Sequence, residues 1–438
     1  MNNKNNKQQM LEGSRAIALT VKNIAPAVIS AYPITPQTHI VEDLAQFKAD
    51  AAPATFRSRG GRGQADYEYV RAESEFAAAS IILGASATGV RTYSATSSQG
   101  LLLMIEVIFN IAGLRLPVVI TCANRAVSAP INIWNDQQDV MAVRDAGWIL
   151  LFAENHQEAV SQHIMAFKIA ERLKLPVMVN VDGYIMTHSY EPVIIPSAEQ
   201  IKKYLPDYAP APGTFLDPAN PITMGPLAAP AHYMEIRQEL HEDLIASLKT
   251  IDQEYKAFHK IFPSLKIKNY LSSAALAKGD KIKNSSKDLI TVDNGWLEYT
   301  GPKNPDTILV AMGSVIGTIK DTVSNFPPDK GSEGGLFSNR RIGGVGILKI
   351  KCFRPFPAEQ ILKIIKPAKN VAVIDKSISL GHIGPLASDI KAVAQGQTNA
   401  NISSFIVGLG GRDITKEIIK KIIKQTGKKS DQATFVGK

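Results

Sequence analysis

VRTYSATSSQGLLLMIEVIFNIAGLRLPVVITC, residues 90–122, holds the pattern on which the reading of the fold rests. Residues 90–95 and 117–122 are short apolar runs of the kind buried in a parallel sheet, and 98–112 between them has helical spacing. Working outward, further strand-like runs lie at 27–32, 148–152 and 176–181, and helical patterns lie at 36–48, 74–88, 136–145 and 156–173. Such alternation predicts a doubly wound α/β layer. Ligands of that architecture bind beyond the carboxyl ends of the strands. The residues that follow each strand are therefore where chemistry is expected.

Downstream, residues 192–230 carry nine prolines and no clear periodicity. Proline removes backbone donors and restricts φ, so this stretch reads as an irregular arm. A helical pattern over 231–262 follows, then a Lys/Ser/Asn-rich connection to about Asp293. A second α/β pattern has strands near 306–311, 345–350, 370–375 and 402–407, with helices near 315–324, 357–366, 383–395 and 413–424. The division is a first domain over 1–262 that includes the arm 192–230, a linker over 263–293 and a smaller α/β domain over 294–438. A length of 438 residues agrees with more than one core.

The composition, 45% hydrophobic and 20% charged, is that of a folded globular protein. A formal net charge of +9 invites a nucleic-acid or membrane reading, but the lysines cluster at the C-terminal end, on what reads as one face of an amphipathic helix. A solvated face is the plain explanation, and a docking surface for an acidic partner such as a ferredoxin is the other. SRGGRG at 58–63 is too short for an RNA-binding tract. Cys122 and Cys352 lie far apart without any CxxC, so no iron–sulfur site or disulfide framework can be built from this chain. The eight histidines show no metal-ligand spacing, and no metal site is expected on the chain itself. MNNKNNKQQM lacks the apolar run of a signal peptide, and no stretch approaches a membrane span of about 20 residues. The expected location is the cytoplasm.

Four segments have residues suited to chemistry. In AYPITPQT, 31–38, Pro33 and Pro36 stiffen a turn after a strand and set the Thr35 hydroxyl at its end, either to cap a helix or to meet a ligand. In AESEFAAASIILGASATG, 72–89, Glu73 and Glu75 open a helix that is apolar or small on every face, which predicts burial. Glu73 fits simple charge placement at the helix start. Glu75, one step deeper, is a carboxylate in need of a partner or a task. In 94–113, Ser98 and Gln99 sit where polar ligand atoms could be gripped, or where they could satisfy the free N–H groups of the next helix. In TCANRAVSAPINIWNDQQDVMAVRDAGW, 121–148, Arg125 follows a buried strand and must be paired, either by a bound carboxylate or by Asp136 or Asp139.

Taken in this order, the segments resemble the α subunits of the 2-oxoacid:ferredoxin oxidoreductases, and most closely the pyruvate class. The resemblance rests on YPITP at 32–36, the Ser74–Glu75 pair, SQG at 98–100 and the NRA–SAPINIW run at 124–134. FRPFP at 353–357, VIDKSISLGHIGPL at 373–386 and GLGGRDIT at 408–415 extend it over most of the chain. Departures lie in the loop 49–70, the segment 264–293 and the insertion at 327–341.

The resemblance implies a pyrimidine-type thiamine-diphosphate-binding domain followed by a transketolase C-terminal-like module. It assigns Glu75 to the aminopyrimidine ring nitrogen and Thr35 and Arg125 to the substrate carboxylate. It places Pro33, Ile34, Ser98 and Gln99 around the cofactor. The chain has no GDG…N motif for the diphosphate and its magnesium (Mg2+). The resemblance therefore implies that a β subunit shares the thiamine diphosphate, that iron–sulfur clusters of the 4Fe–4S type lie on partner chains, and that γ and δ subunits complete the complex, with a γ chain finishing the coenzyme A site. A dimer of heteromers that oxidises pyruvate to acetyl-CoA and carbon dioxide and reduces ferredoxin is the implied assembly. Glu75 would favour the imino tautomer of the pyrimidine and so promote loss of the thiazolium proton. No second basic residue lies between Arg125 and Asp136 to receive a distal carboxylate, which favours pyruvate over 2-oxoglutarate. A related subunit for 2-oxoisovalerate or oxalate, a non-catalytic assembly subunit that keeps the fold, and a nucleic-acid-binding protein are the competing readings.

Overall fold

Sixteen short strands, most of them apolar and β-branched, build the sheets of this computed structural model, which describes residues 7–50, 67–265, 289–324, 344–428 and 431–437. The N-terminal half contributes β1 (Gln9–Glu12), β2 (Val28–Ala31), β3 (Glu68–Arg71), β4 (Thr92–Thr96), β5 (Val119–Asn124), β6 (Ile149–Phe152), β7 (Val177–Asp182) and β8 (Tyr190–Val193). The C-terminal half contributes β9 (Leu289–Asp293), β10 (Leu297–Pro302), β11 (Thr307–Ala311), β12 (Val345–Ile350), β13 (Cys352–Arg354), β14 (Asn370–Asp375), β15 (Asn401–Ile406) and β16 (Thr434–Phe435). Most of the loop 49–70, most of the linker 263–293 and the insertion 327–341 lie outside the described residues.

The first sheet runs β13-β6-β7-β5-β4-β2-β3, parallel throughout except for β13, which pairs antiparallel with β6. The chain leaves β2 for β3 on one side and returns to β4 on the other, so strand order reverses between β2 and β4. A crevice opens at such a point beyond the carboxyl ends. YPITP and TSSQG are the loops that leave those two strands. The second sheet runs β16-β15-β14-β11-β12-β10-β9, with β9 and β10 antiparallel. One apolar cluster joins the two layers, with Ile108, Trp148 and Met178 of the first half packed among Ile308, Leu348, Val373 and Leu386 of the second.

Several sequence expectations need correcting. Residues 98–112 form two helices, Ser98–Leu103 and Ile105–Gly113, because the chain bends at Met104. The helix expected over 136–145 shrinks to Gln138–Ala142, since the Asn135 and Gln137 side chains donate to Asp182 at the end of β7 and the Asp136 carboxylate accepts the Gln138 N–H. The arm 192–230 includes the end of β8 and a helix, Ala198–Tyr204, started by a Ser197–Gln200 capping box. The helix Gly13–Ile24 was missed altogether. So was β13, in which the start of FRPFP leaves its own half to extend the first sheet.

A buried ionic cluster locks the layers together. Lys349 on β12 reaches Glu154 and Glu158 at 2.7 Å each, and Lys320 reaches Glu154 at 2.9 Å and Glu298 at 3.0 Å. Burial opposes the charge on Glu298, yet Lys349 and Lys320 outweigh it and hold the carboxyl down at about 2. Removal of one member of such a cluster leaves uncompensated buried charge, which costs about 3–5 kcal/mol. Lys349→Met should lower the unfolding free energy by that amount in urea titrations. A loss below about 1 kcal/mol would mean that water already solvates the acids.

Candidate functional site

Glu75 begins the helix Glu75–Ala87, but it does not cap it. The Ser74 hydroxyl accepts the Ala77 N–H at 3.1 Å and does that work, while Glu73 lies exposed before the helix. Glu75 is 8% exposed, and its carboxylate has no hydrogen-bond partner among the described residues. Gly100 of SQG lies directly against it. A Cβ there would sit 2.8 Å from Glu75 Oε1 and 2.6 Å from Thr96 Oγ1, so only glycine permits this approach. Thr96 Oγ1 and Gln99 Nε2 are buried and equally without partners among the described residues. Buried polar atoms without partners are uncommon in folded proteins; others occur elsewhere among the described residues, and these two flank the Gly100–Glu75 contact at the strand-order reversal. An acceptor carboxylate beside an amide donor and a hydroxyl suits a heteroaromatic ring edge with its own donors and acceptors. The residues present fit an aminopyrimidine.

Arg125 is 9% exposed, and its pairing differs from the expected salt bridge. Nη1 donates to the Thr35 carbonyl at 2.9 Å and Nε to the Asn132 carbonyl at 3.0 Å, so the guanidinium pins YPITP to APINIW. Nη2 has no partner among the described residues and can still face an anion. Asp139 binds the Arg125 backbone instead. Its Oδ2 accepts the Arg125 and Ser98 N–H groups at 3.0 Å each, and Oδ1 accepts the Asn124 side chain at 3.1 Å. Burial lifts the Asp139 pKa to about 6, against the pull of those donors. Ser98 spends its hydroxyl on the Ala126 carbonyl and on Gln99 Oε1, at 2.5 and 2.6 Å. Its one O–H is therefore committed to bracing the loop and is not free to donate to a ligand.

Thr35, Pro33 and Ile34 are half-buried at the mouth. Gln37 holds their turn in place by donating to the Tyr32 carbonyl at 2.8 Å and the Ala95 carbonyl at 3.3 Å. Gly183 permits a second close approach, because a Cβ there would lie 2.5 Å from the Asn124 carbonyl and 2.7 Å from Pro36. The structure thus unites Thr35 with Arg125 and Glu75 with SQG. Thr96, Gln37 and Gly183 went unnoticed in the sequence as parts of this site, while Asp139 was considered only as a salt-bridge partner of Arg125 and Gly100 only as a member of SQG.

The helices around the site are not buried on every face, contrary to the expectation for 74–88. Phe76 is 40%, Leu103 51% and Trp134 53% exposed, and Phe109 and Ile131 are exposed as well.

Fold and site together define a thiamine-diphosphate-binding α/β domain joined to a second α/β domain. Residues 20–257 match the family described as "Pyruvate flavodoxin/ferredoxin oxidoreductase, thiamine diP-bdg", and residues 305–419 match "Pyruvate:ferredoxin oxidoreductase core domain II". Pyruvate synthase subunit PorA of Methanocaldococcus jannaschii is 41% identical over 98% of this chain and 97% of its own. The PorA subunit of Methanosarcina barkeri is also 41% identical, over 96% and 93%. Ketoisovalerate oxidoreductase subunit VorA of Pyrococcus abyssi is 34% identical over 96% and 94%. A solved 2-oxoglutarate:ferredoxin oxidoreductase of Magnetococcus marinus, determined with 2-oxoglutarate, coenzyme A and succinyl-CoA bound, shares the fold with a TM-score of 0.61 at 18% identity. The match covers 96% of this chain and 65% of that one. The chain belongs to the pyruvate:ferredoxin oxidoreductase family, among its α subunits.

The contact between Gly100 and Glu75 makes a direct prediction. Gly100→Ala should displace the carboxylate by a few tenths of an ångström or more. The assembled enzyme should then lose roughly 10²-fold in turnover, as misplaced catalytic groups do, while the chain remains folded by circular dichroism. Unchanged turnover would show that the Glu75 position is not critical.

Proposed function

We propose that this α subunit supplies the pyrimidine side and the substrate-carboxylate side of a thiamine-diphosphate site that a partner β subunit completes. The observation that carries the proposal is Glu75: a buried carboxylate without a protein partner, pressed against a glycine at the strand-order reversal. When bound, the cofactor supplies the electron sink that lets carbon dioxide leave a 2-oxoacid. Glu75 is placed to hold a proton at the aminopyrimidine ring nitrogen, with Gln99 and Thr96 meeting its other polar atoms and Pro33 and Ile34 forming a wall. The free edge of Arg125 pairs with the substrate carboxylate, and Thr35 fixes that guanidinium through its carbonyl.

No group of the described residues suits the diphosphate and Mg2+, for which a GDG…N motif on the partner is the source proposed. Cys122 and Cys352 are both buried, so the 4Fe–4S clusters are assigned to partner chains as well. Exposed apolar side chains around the mouth, Phe76, Leu103, Phe109, Ile131 and Trp134, favour a site closed by another subunit. Coenzyme A, ferredoxin, γ and δ chains, a dimer of heteromers and a cytoplasmic location complete the proposal. No described helix is long and apolar enough to cross a membrane.

Pyruvate is the substrate favoured. Lys376 is buried and already engaged by Asp182, so it is not free to receive a distal carboxylate. 2-Oxoisovalerate is the second reading, supported by the VorA relative at 34% identity.

In the reconstituted complex, Glu75→Gln should lower turnover by about 10²–10⁴, the range for a lost proton-transfer group. Glu73→Gln should change it less than twofold. Equal, mild effects would return Glu75 to a structural role. A kcat/KM panel over pyruvate, 2-oxobutyrate, 2-oxoisovalerate, oxalate and 2-oxoglutarate should rank pyruvate first, with 2-oxobutyrate lower by about 10–200-fold for the added methylene. A preference for 2-oxoisovalerate would instead establish the second reading.

A further inference from the structure

Glu12, His39 and His188 come from three separate elements: the end of β1, the first turn of the helix Thr38–Ala49, and the loop after β7. The fold gathers one carboxylate oxygen and one ring nitrogen from each histidine within 4.8 Å of one another. His39 Nδ1 already lies 2.8 Å from Glu12 Oε1, and the two imidazole rings are 4.7 Å apart between centroids. His188 Nδ1 is 2.7 Å from Thr187 Oγ1, which also accepts the Tyr184 N–H at 2.8 Å. A ligating histidine characteristically has its second nitrogen held in this way, which fixes the ring and leaves the other nitrogen to the metal.

We propose that these three side chains bind one divalent transition-metal ion of the zinc class. Two imidazoles and one carboxylate form a known zinc donor set, and imidazole nitrogen selects such ions over calcium or magnesium. Metal–nitrogen and metal–oxygen distances of about 2.0–2.2 Å require the donor atoms to close to roughly 3.3 Å of one another. The Glu12–His39 pair already meets that requirement, and a small rotation of either ring brings His188 in. His39 is exposed, which gives the ion a way in and leaves room for a water in the fourth position. Glu42, Asp43 and Arg15 line the hollow beside Glu12 and His39; Arg15 pairs with Asp43, which leaves Glu42 to add negative potential around the cation.

The ion would act as a clamp. It ties the edge strand β1 and the helix that follows Thr35 to the 183–189 loop, whose Tyr184 ring lies between His188 and Trp134 at 4.7 and 6.3 Å. The site neither contains nor touches Glu75 or Arg125, so its test stands apart from the thiamine reading.

The test uses the full chain produced without partners, which the account expects to hold no iron–sulfur cluster, after dialysis against EDTA. Calorimetric titration with Zn2+ should show one saturable equivalent, and the unfolding temperature should rise with Zn2+ concentration, as for any ligand of the native state. Co2+ should give visible absorption without a thiolate charge-transfer band. His39→Gln and His188→Gln should each weaken Zn2+ binding by at least about 10–100-fold, whereas His232→Gln should leave it unchanged. Failure of the wild-type chain to bind Zn2+ at millimolar concentration overturns the proposal, whether or not the variants fold. So does full-strength binding by the His39→Gln/His188→Gln double variant, or a cobalt spectrum showing thiolate ligands.

Discussion

The buried carboxylate of Asp182 is the constraint on which the arrangement depends. It ends β7 and accepts the Lys376 ammonium at 2.9 Å, the Ser314 N–H at 2.8 Å and the Ser314 hydroxyl at 2.5 Å, all from the carboxyl ends of the second sheet. Its other oxygen accepts the Asn135 and Gln137 side chains at 3.2 and 3.0 Å. Burial disfavours the charge, but Lys376 and the Ser314 donors prevail and hold the carboxyl below its ordinary range. One group therefore fixes two sheets and the loop after PINIW in a single geometry. The next residue, Gly183, then presses on the Asn124 carbonyl and Pro36, which carries that order to both halves of the site.

From there, rigidity passes inward through backbone N–H and carbonyl groups held by two side chains. Asp139 gathers the Ser98 and Arg125 N–H groups, and Arg125 gathers the Thr35 and Asn132 carbonyls. Within the crevice, the Glu75 carboxylate, Thr96 Oγ1, Gln99 Nε2 and one edge of Arg125 are left without partners among the described residues, as are Gln37 Oε1 and Asn124 Oδ1. A buried carboxylate and a guanidinium edge left open in a crevice suit a ligand of complementary charge and hydrogen bonding. The apolar side chains exposed about the mouth suit a site shared between subunits.

Much of this was legible in the sequence. The helix His156–Leu173 and the strands β12 and β14 coincide with the ranges read from periodicity, because each is a strongly patterned element bounded by breakers. Glu75 stood out as an acid followed only by small apolar residues. The illegible parts depend on tertiary approach. Nothing in SQG reveals that its glycine backs onto Glu75, and nothing in NDQQD says which acid will hold two backbone N–H groups. β13 is the ordinary triplet Cys-Phe-Arg until it finds the free edge of β6, and the Glu12–His39–His188 cluster joins positions that share no spacing at all.

The central claim is that this chain holds the pyrimidine and a partner holds the diphosphate. A structure of the assembled complex with thiamine diphosphate tests it most directly. The account predicts a Glu75 carboxylate oxygen within about 2.5–3.2 Å of a pyrimidine ring nitrogen, with the diphosphate contacted by the partner subunit alone. A diphosphate bound by this chain, or a pyrimidine ring with no contact to Glu75, would contradict it.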